Sequence, residues 1–137
     1  MKDFILLIFI FLPNTKLCLQ GQDLDCPDNN EYIAFFNESY GDFVRNKFDI
    51  ILPEKASRHG LVVFIHEGGF ESGDKEMLYE RKEDVKYFLE NNIAVATINY
   101  RYLSHNDSLG IKLPLSDIQR AIQYLRYHAD KYHIDKN

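Results

Sequence analysis

Apolar residues change their spacing several times along the chain, and each spacing predicts an element. Phe4 to Leu12 is an unbroken apolar run, preceded by Lys2, closed by Pro13 and followed by a polar stretch, 14–23. Such a run is long enough for the core of a signal peptide and too short to cross a bilayer. Residues 1–21 are therefore expected to leave on export, with cleavage somewhere between Cys18 and Gln22. Residues 22–137 are expected to form the domain, secreted or periplasmic. A buried N-terminal strand or short helix and a retained anchor are the alternatives.

From Asn30 onward the pattern is one of alternating strands and helices. Tyr32-Ile33-Ala34-Phe35-Phe36 predicts a first strand, punctuated by 37–41. Phe48 to Leu52 predicts a second, ended by Pro53, which has no amide hydrogen for a ladder. After the charged turn 54–60, Leu61-Val62-Val63-Phe64-Ile65 is continuously apolar, the pattern of a central strand covered on both faces. Leu78, Val85, Phe88 and Leu89 recur at helical spacing, and Asn91-Asn92 offers a left-handed stop. Ile93 to Ile98 is a further buried strand. Ser116, just after Pro114 and three residues ahead of Gln119, has the pattern of a capping box for a last helix reaching about Tyr132. The apolar stripe of that helix is Ile118, Ala121, Ile122, Leu125 and Ala129. This order of elements predicts an α/β fold on a mostly parallel sheet flanked by helices.

Composition narrows the partners. At 137 residues the chain suits one domain or part of one. Its hydrophobic content of 45%, with 14% aromatic, is that of a chain with a packed core. A formal charge of -5, with Lys and Arg scattered among acids, excludes a basic stripe for nucleic acid. No stable membrane span is expected. If Cys18 leaves with the leader, Cys26 is either free or paired with a residue outside this chain.

In sheets of this kind ligands gather at the carboxyl ends of strands, here just after Ile65 and Ile98. His66-Glu67-Gly68-Gly69-Phe70 follows the first of these. Adjacent glycines leaving a strand let the backbone turn sharply, with amide hydrogens unshielded by any Cβ, and an oxyanion needs such donors fixed in advance. Taken alone, the pair is a turn. Asp117 and Arg120, three apart on a helix, read as a solvated surface pair. Asp49, in mid-strand, reads as a structural hydrogen-bonding group, and Tyr124, Tyr127 and Tyr132 as helix-surface and core-edge residues. His105, His128 and His133 show no metal-ligand spacing with acids or cysteines, so no metal or cofactor is expected.

The residues flanking the glycine pair change its weight. His66-Glu67-Gly68-Gly69-Phe70 resembles the His-Gly-Gly-Gly oxyanion loop of lipases and esterases, and the likeness extends over about residues 40 to 137. Tyr40-Gly41 and Phe48 to Pro53 look like the hairpin strand ahead of that loop, and Gly73-Asp74-Lys75 like the stretch behind it. Asn99-Tyr100-Arg101-Tyr102 is similar to the Asn-Tyr-Arg that closes the next strand, and Asp117 to Asn137 looks like the helix leading to the nucleophile strand. In order and spacing the chain resembles the α/β-hydrolase superfamily of carboxylesterase/lipase type. Within it the likeness is to the group of bacterial esterases that includes hormone-sensitive-lipase-like and acetylxylan/feruloyl esterases. The resemblance implies the N-terminal half of an α/β-hydrolase fold, truncated before the nucleophile strand. It also implies that the amides of Gly68 and Gly69 donate to an oxyanion, that the residue after the nucleophile supplies another amide, and that His66 holds the loop. Glu67 stands where the family commonly has glycine, and is expected either to point away or to pair with Lys75 or Arg101.

The nucleophile elbow of this family needs Gly-x-Ser-x-Gly. Ser72 comes nearest, but Phe70 occupies its first glycine position, and the acid and histidine of such triads come later still. The implied parent is a secreted serine ester hydrolase acting on small acyl or acylated-carbohydrate esters, with this chain alone inactive and a C-terminal half missing. The alternatives are a binding or adhesion module that keeps the fold without its triad, and a formamidase or peptidase on the same scaffold. A truncated gene, a decayed remnant and a half-domain that pairs with a second chain all fit the missing triad.

Overall fold

The computed structural model describes residues 16–17, 32–54, 58–103 and 108–136. The apolar leader, its cleavage region, Cys18, Cys26 and His105 lie outside the described residues. The strands are β1 (Lys16–Leu17), β2 (Ile33–Ser39), β3 (Lys47–Leu52), β4 (Gly60–Ile65) and β5 (Ile93–Ile98). They form one sheet in the order β1-β2-β3-β5-β4. β1 lies inside the segment expected to leave on export, and pairs antiparallel with Ile33 and Ala34 at the sheet's margin.

The sheet is mixed, not mostly parallel, over the described residues. The turn 40–46 is too short for a crossover, so β2 and β3 must run antiparallel. β3 is also antiparallel to β5. β4 and β5 are parallel, and between them run a loop, a 3-10 helix (Lys75–Glu80) and helix α1 (Lys82–Glu90). Asn92, at φ 60, supplies the left-handed stop after α1.

Because side chains alternate along a strand, the apolar runs of β3 and β5 feed two cores. Phe48, Ile50 and Leu52 pack with Ala94, Ala96 and Ile98 under helix α2 (Lys112–Tyr127), against Ile118, Ala121 and Leu125. Ile51 and Val95 face the other way, onto Leu78, Val85 and Leu89 of the 3-10 helix and α1. Tyr132, expected at the core's edge, is wholly buried in the first core, edge-on to Phe48 and Phe35.

The last helix departs from expectation in two ways. Helix α2 starts at Lys112, not at Ser116. Pro114 falls in the first turn, where a missing amide hydrogen costs nothing, and the Ser116 hydroxyl donates back to the carbonyl of Leu113 instead of capping. Within the expected stripe, Ile122 is 39% exposed.

β4 has the pattern of a central strand, and among the described strands it lies at the sheet's edge beside β5, the place expected of it where the nucleophile strand is missing. Its middle residues are only half-buried, and Ile65 is 41% exposed. The strand composition is that of a residue run covered on both sides, but among the described residues only β5 flanks it over its full length. On its free side a parallel bridge, His59 to Ile134, begins a second pairing. His59 donates its amide to the carbonyl of His133, and the Asp135 amide donates to the carbonyl of His59, both at 2.8 Å.

Candidate active site

The parallel pairing of β4 with β5 sets Ile65 opposite Ile98, so the loop after β4 and the segment after β5 leave the sheet side by side. The loop 66–74 turns through positive φ at Gly68 (115), Gly69 (62), Phe70 (67) and Gly73 (99). Glycine is required at the first and last of these by space as well as by φ. A Cβ on Gly68 would lie 2.3 Å from the carbonyl oxygen of Ser72, and one on Gly73 would lie 2.4 Å from that of Glu67. Gly69 faces open space, with nothing within 4 Å of its Cβ position.

The carbonyl of Gly68 is turned inward, accepting from the amides of Glu71 at 3.0 Å and Ser72 at 3.2 Å. The Ser72 hydroxyl also donates to it, at 3.3 Å. The amide hydrogens of Gly68 and Gly69 have no acceptor among the described residues. His66 is buried at the loop's entry, its Nδ1 2.8 Å from the carbonyl oxygen of Glu67. A carbonyl only accepts, so in the neutral ring Nδ1 carries the proton. The ring stacks on Tyr100 with centroids 4.3 Å apart, and the Tyr100 hydroxyl donates to the carbonyl of His66 at 3.0 Å. Nε2 of His66 is buried with no partner among the described residues.

The far end of the loop is tied to the segment after β5. Leu103 donates its amide to Phe70, and the Tyr102 hydroxyl donates to the carbonyl of Gly73. Arg45 donates to that same carbonyl at 3.1 Å and to the carbonyl of Tyr100 at 2.8 Å, with its guanidinium 3.9 Å from the Tyr102 ring centroid. Asn99 accepts the Lys75 amide at 2.8 Å and donates to Asp74 at 2.8 Å. Burial works to raise the Asp74 carboxyl, but the Asn99 side chain, the Glu76 amide, Lys75 and Arg45 together hold it below the usual carboxylate range.

Asp49 is a structural group, as expected, and it anchors a buried ion pair. Lys75 Nζ lies 2.7 Å from Asp49 Oδ2, and both side chains are almost wholly buried. Tyr79 donates to the same oxygen, and the Asn37 amide donates to Oδ1 at 2.6 Å. The Tyr79 hydroxyl is driven far above its ordinary value, by burial first and then by Asp49, and so stays a donor.

Asp117 is the residue that the sequence reading misjudged. It is not a surface partner of Arg120 but is 1% exposed under the segment after β5. Its carboxylate accepts from Arg101 Nη2 at 2.7 Å, Nε at 2.8 Å and the Arg101 amide at 3.0 Å, and from Asn46 at 2.9 Å. Burial pushes this carboxyl up, but the Arg101 bonds and that from Asn46 outweigh it and hold it below the usual range. The signal was in the spacing, since 117 falls on the same helix face as buried Pro114, Ile118 and Ala121.

Neither cation suggested for Glu67 reaches it, because Lys75 is engaged by Asp49 and Arg101 by Asp117. Among the described residues no group of three His, Cys, Asp or Glu is placed to hold a metal, and no helix is long and apolar enough to cross a membrane.

Several solved structures share this fold. A bifunctional GH43-CE protein of Bacteroides eggerthii superposes with a TM-score of 0.63 at 25% identity, over 74% of this chain and 14% of that one. A truncated form of a carbohydrate esterase from gut microbiota gives 0.62 at 22% identity, over 76% and 36%. Esterase B from Lactobacillus rhamnosis gives 0.62 at 20% identity, over 76% and 32%. The chain thus spans about a third or less of the length of these proteins, and carries the N-terminal part of an α/β-hydrolase fold. No curated protein matches it. The BD-FAE family model matches residues 48–137, from the second residue of β3 through the site loop and α2, and the chain belongs to that family of α/β-hydrolase-type esterase domains.

Proposed function

We propose that this chain is the oxyanion-loop part of an exported serine ester hydrolase acting on small acyl or acylated-carbohydrate esters. The observation that carries the reading is the pair of amide hydrogens at Gly68 and Gly69, at the carboxyl end of β4 and without acceptors among the described residues. Donors fixed before charge develops are what a tetrahedral oxyanion requires. The contacts of His66 with the Glu67 carbonyl and Tyr100 support its role as the residue that holds this loop. The carbohydrate-esterase relatives motivate the acylated-carbohydrate substrate class.

In this reading the nucleophile, acid and base lie in a further part of the protein, and residues 1–137 alone do not hydrolyse esters. The bridge between His59 and Ile134 supports a next strand running parallel to β4 on its free side. That strand would bring an elbow serine to the carboxyl edge that holds Gly68 and Gly69.

The test is to read the coding sequence beyond Asn137 and assay the full-length product on a panel of nitrophenyl esters, acetylated xylan and formyl amides. A Gly-x-Ser-x-Gly strand end within about 15 residues is expected, since crossover connections are short. Its Ser→Ala variant should lose ester hydrolysis by at least about a thousandfold. A continuing frame with the serine replaced, and no hydrolysis, would establish a binding module instead.

A further inference from the structure

Glu67 is an exposed carboxylate immediately ahead of the two glycines, with no hydrogen bond or ion pair from its side chain among the described residues. The nearby cations are spent elsewhere. Lys75 is paired with Asp49 at 2.7 Å, Arg101 with Asp117 at 2.7 Å, and Arg45 with backbone carbonyls, Asn99 and Asp74. Nor can the backbone swing the residue away. The Glu67 carbonyl is held by His66 Nδ1 at 2.8 Å, and the Cα of Gly73 sits so close to that oxygen that no Cβ fits between them.

From Glu67 to Gly69 is two Cα steps of about 3.8 Å, so in any rotamer the carboxylate stays within on the order of 10 Å of both amides. That is comparable with the Debye length of about 10 Å at 0.1 M salt, so its field reaches whatever binds there.

We propose that Glu67 sets the charge preference of the site, turning away esters that carry a negative charge and favouring neutral or cationic ones. The inference rests on the ester-hydrolase reading and adds to it the class of substrate. An anionic acyl or alcohol group at Gly69 meets a second negative charge that no cation among the described residues neutralises, whereas a neutral sugar or a cationic group does not.

The experiment compares kcat/KM of the full-length protein on 4-nitrophenyl acetate and on 4-nitrophenyl hydrogen succinate, its anionic counterpart. Glu67→Gln should raise the anionic-to-neutral ratio by roughly three- to tenfold at low salt. The gain should shrink at about 0.5 M salt as screening sets in. Glu54→Gln removes the same charge at the opposite edge of the sheet, beyond the end of β3 that lies beside the start of β5, and should leave the ratio unchanged. An unchanged ratio in Glu67→Gln, or an equal rise in Glu54→Gln, overturns the inference while leaving the hydrolase reading intact. A wild-type protein that hydrolyses neither ester overturns the hydrolase reading, and this inference with it.

Discussion

Asp117 grips Arg101 at both ends of its guanidinium, 2.7 Å from Nη2 and 2.8 Å from Nε, and also takes its backbone amide. One carboxylate therefore ties helix α2 to the segment that leaves β5. Through Arg101, stacked 3.6 Å over Phe43, the tie extends to the turn between β2 and β3. Asp117→Ala leaves the Arg101 and Asn46 donors without their acceptor, and should cost about 3 kcal/mol of folding stability. The urea midpoint of the full-length protein measures this, and a shift of under about 1 kcal/mol would mean the tie adds little.

The same carboxyl should give the protein an acid limb. Its folded value lies below the ordinary carboxylate value, so the unfolded chain binds the proton more readily. The Asp117 contribution is thus fully present above about pH 5, and is lost as pH falls through the ordinary value of about 4 toward the lower folded one. Between pH 7 and pH 3.5 the wild type should lose more stability than Asp117→Asn. Parallel curves would refute this.

Gly73→Ala and Gly69→Ala should differ sharply. At 73 a Cβ meets the Glu67 oxygen and His66 Nδ1, each at 2.4 Å, so the loop must shift. At 69 the space is open and only the left-handed φ of 62 is strained, at about 1–2 kcal/mol. Thermal melts should show the larger drop for Gly73→Ala. The reverse order would mean that the loop is packed otherwise.

The free edge of β4 makes the 137-residue chain, expressed alone, prone to self-association. Ile65→Lys places a charge on its exposed end and should raise the monomer fraction in sedimentation velocity. A wild-type chain that is monomeric and melts cooperatively would show that the edge needs no cover.

Export predicts a mature N-terminus near residue 22, beyond the two paired residues of β1. Edman sequencing of the expressed full-length protein should begin there. An intact Met1 on protein free of membrane would rule out a cleaved leader.

Much of this fold was legible because β3 and β5 are apolar on both faces and α2 on one. Local spacing carries that information. Whether β4 is central or marginal depends on which strand lies next to it, and the residues of β4 themselves cannot encode that. The glycine loop was legible through its neighbours His66 and Phe70, whereas its anchors were not. Arg45, Asn46, Asn99 and Asp117 act across 16 to 71 positions of sequence, and only the folded sheet brings them together. Pro114 misled because a proline marks a boundary in most helices and is harmless in the first turn of this one.

The bridge at His59 also has a consequence in time. Ile65 lies six residues beyond His59, so its partner on the proposed parallel strand lies six beyond Ile134. A ribosome adding about 5–20 residues per second needs on the order of a second to supply them. Hydrophobic collapse of a chain this long takes at most about 100 µs. A nascent chain that has reached Ile134 therefore holds an apolar strand with one side bare for thousands of collapse times. For such a chain, the time its bare strand stays unpaired bears on how much of it survives synthesis, alongside the depth of the final fold.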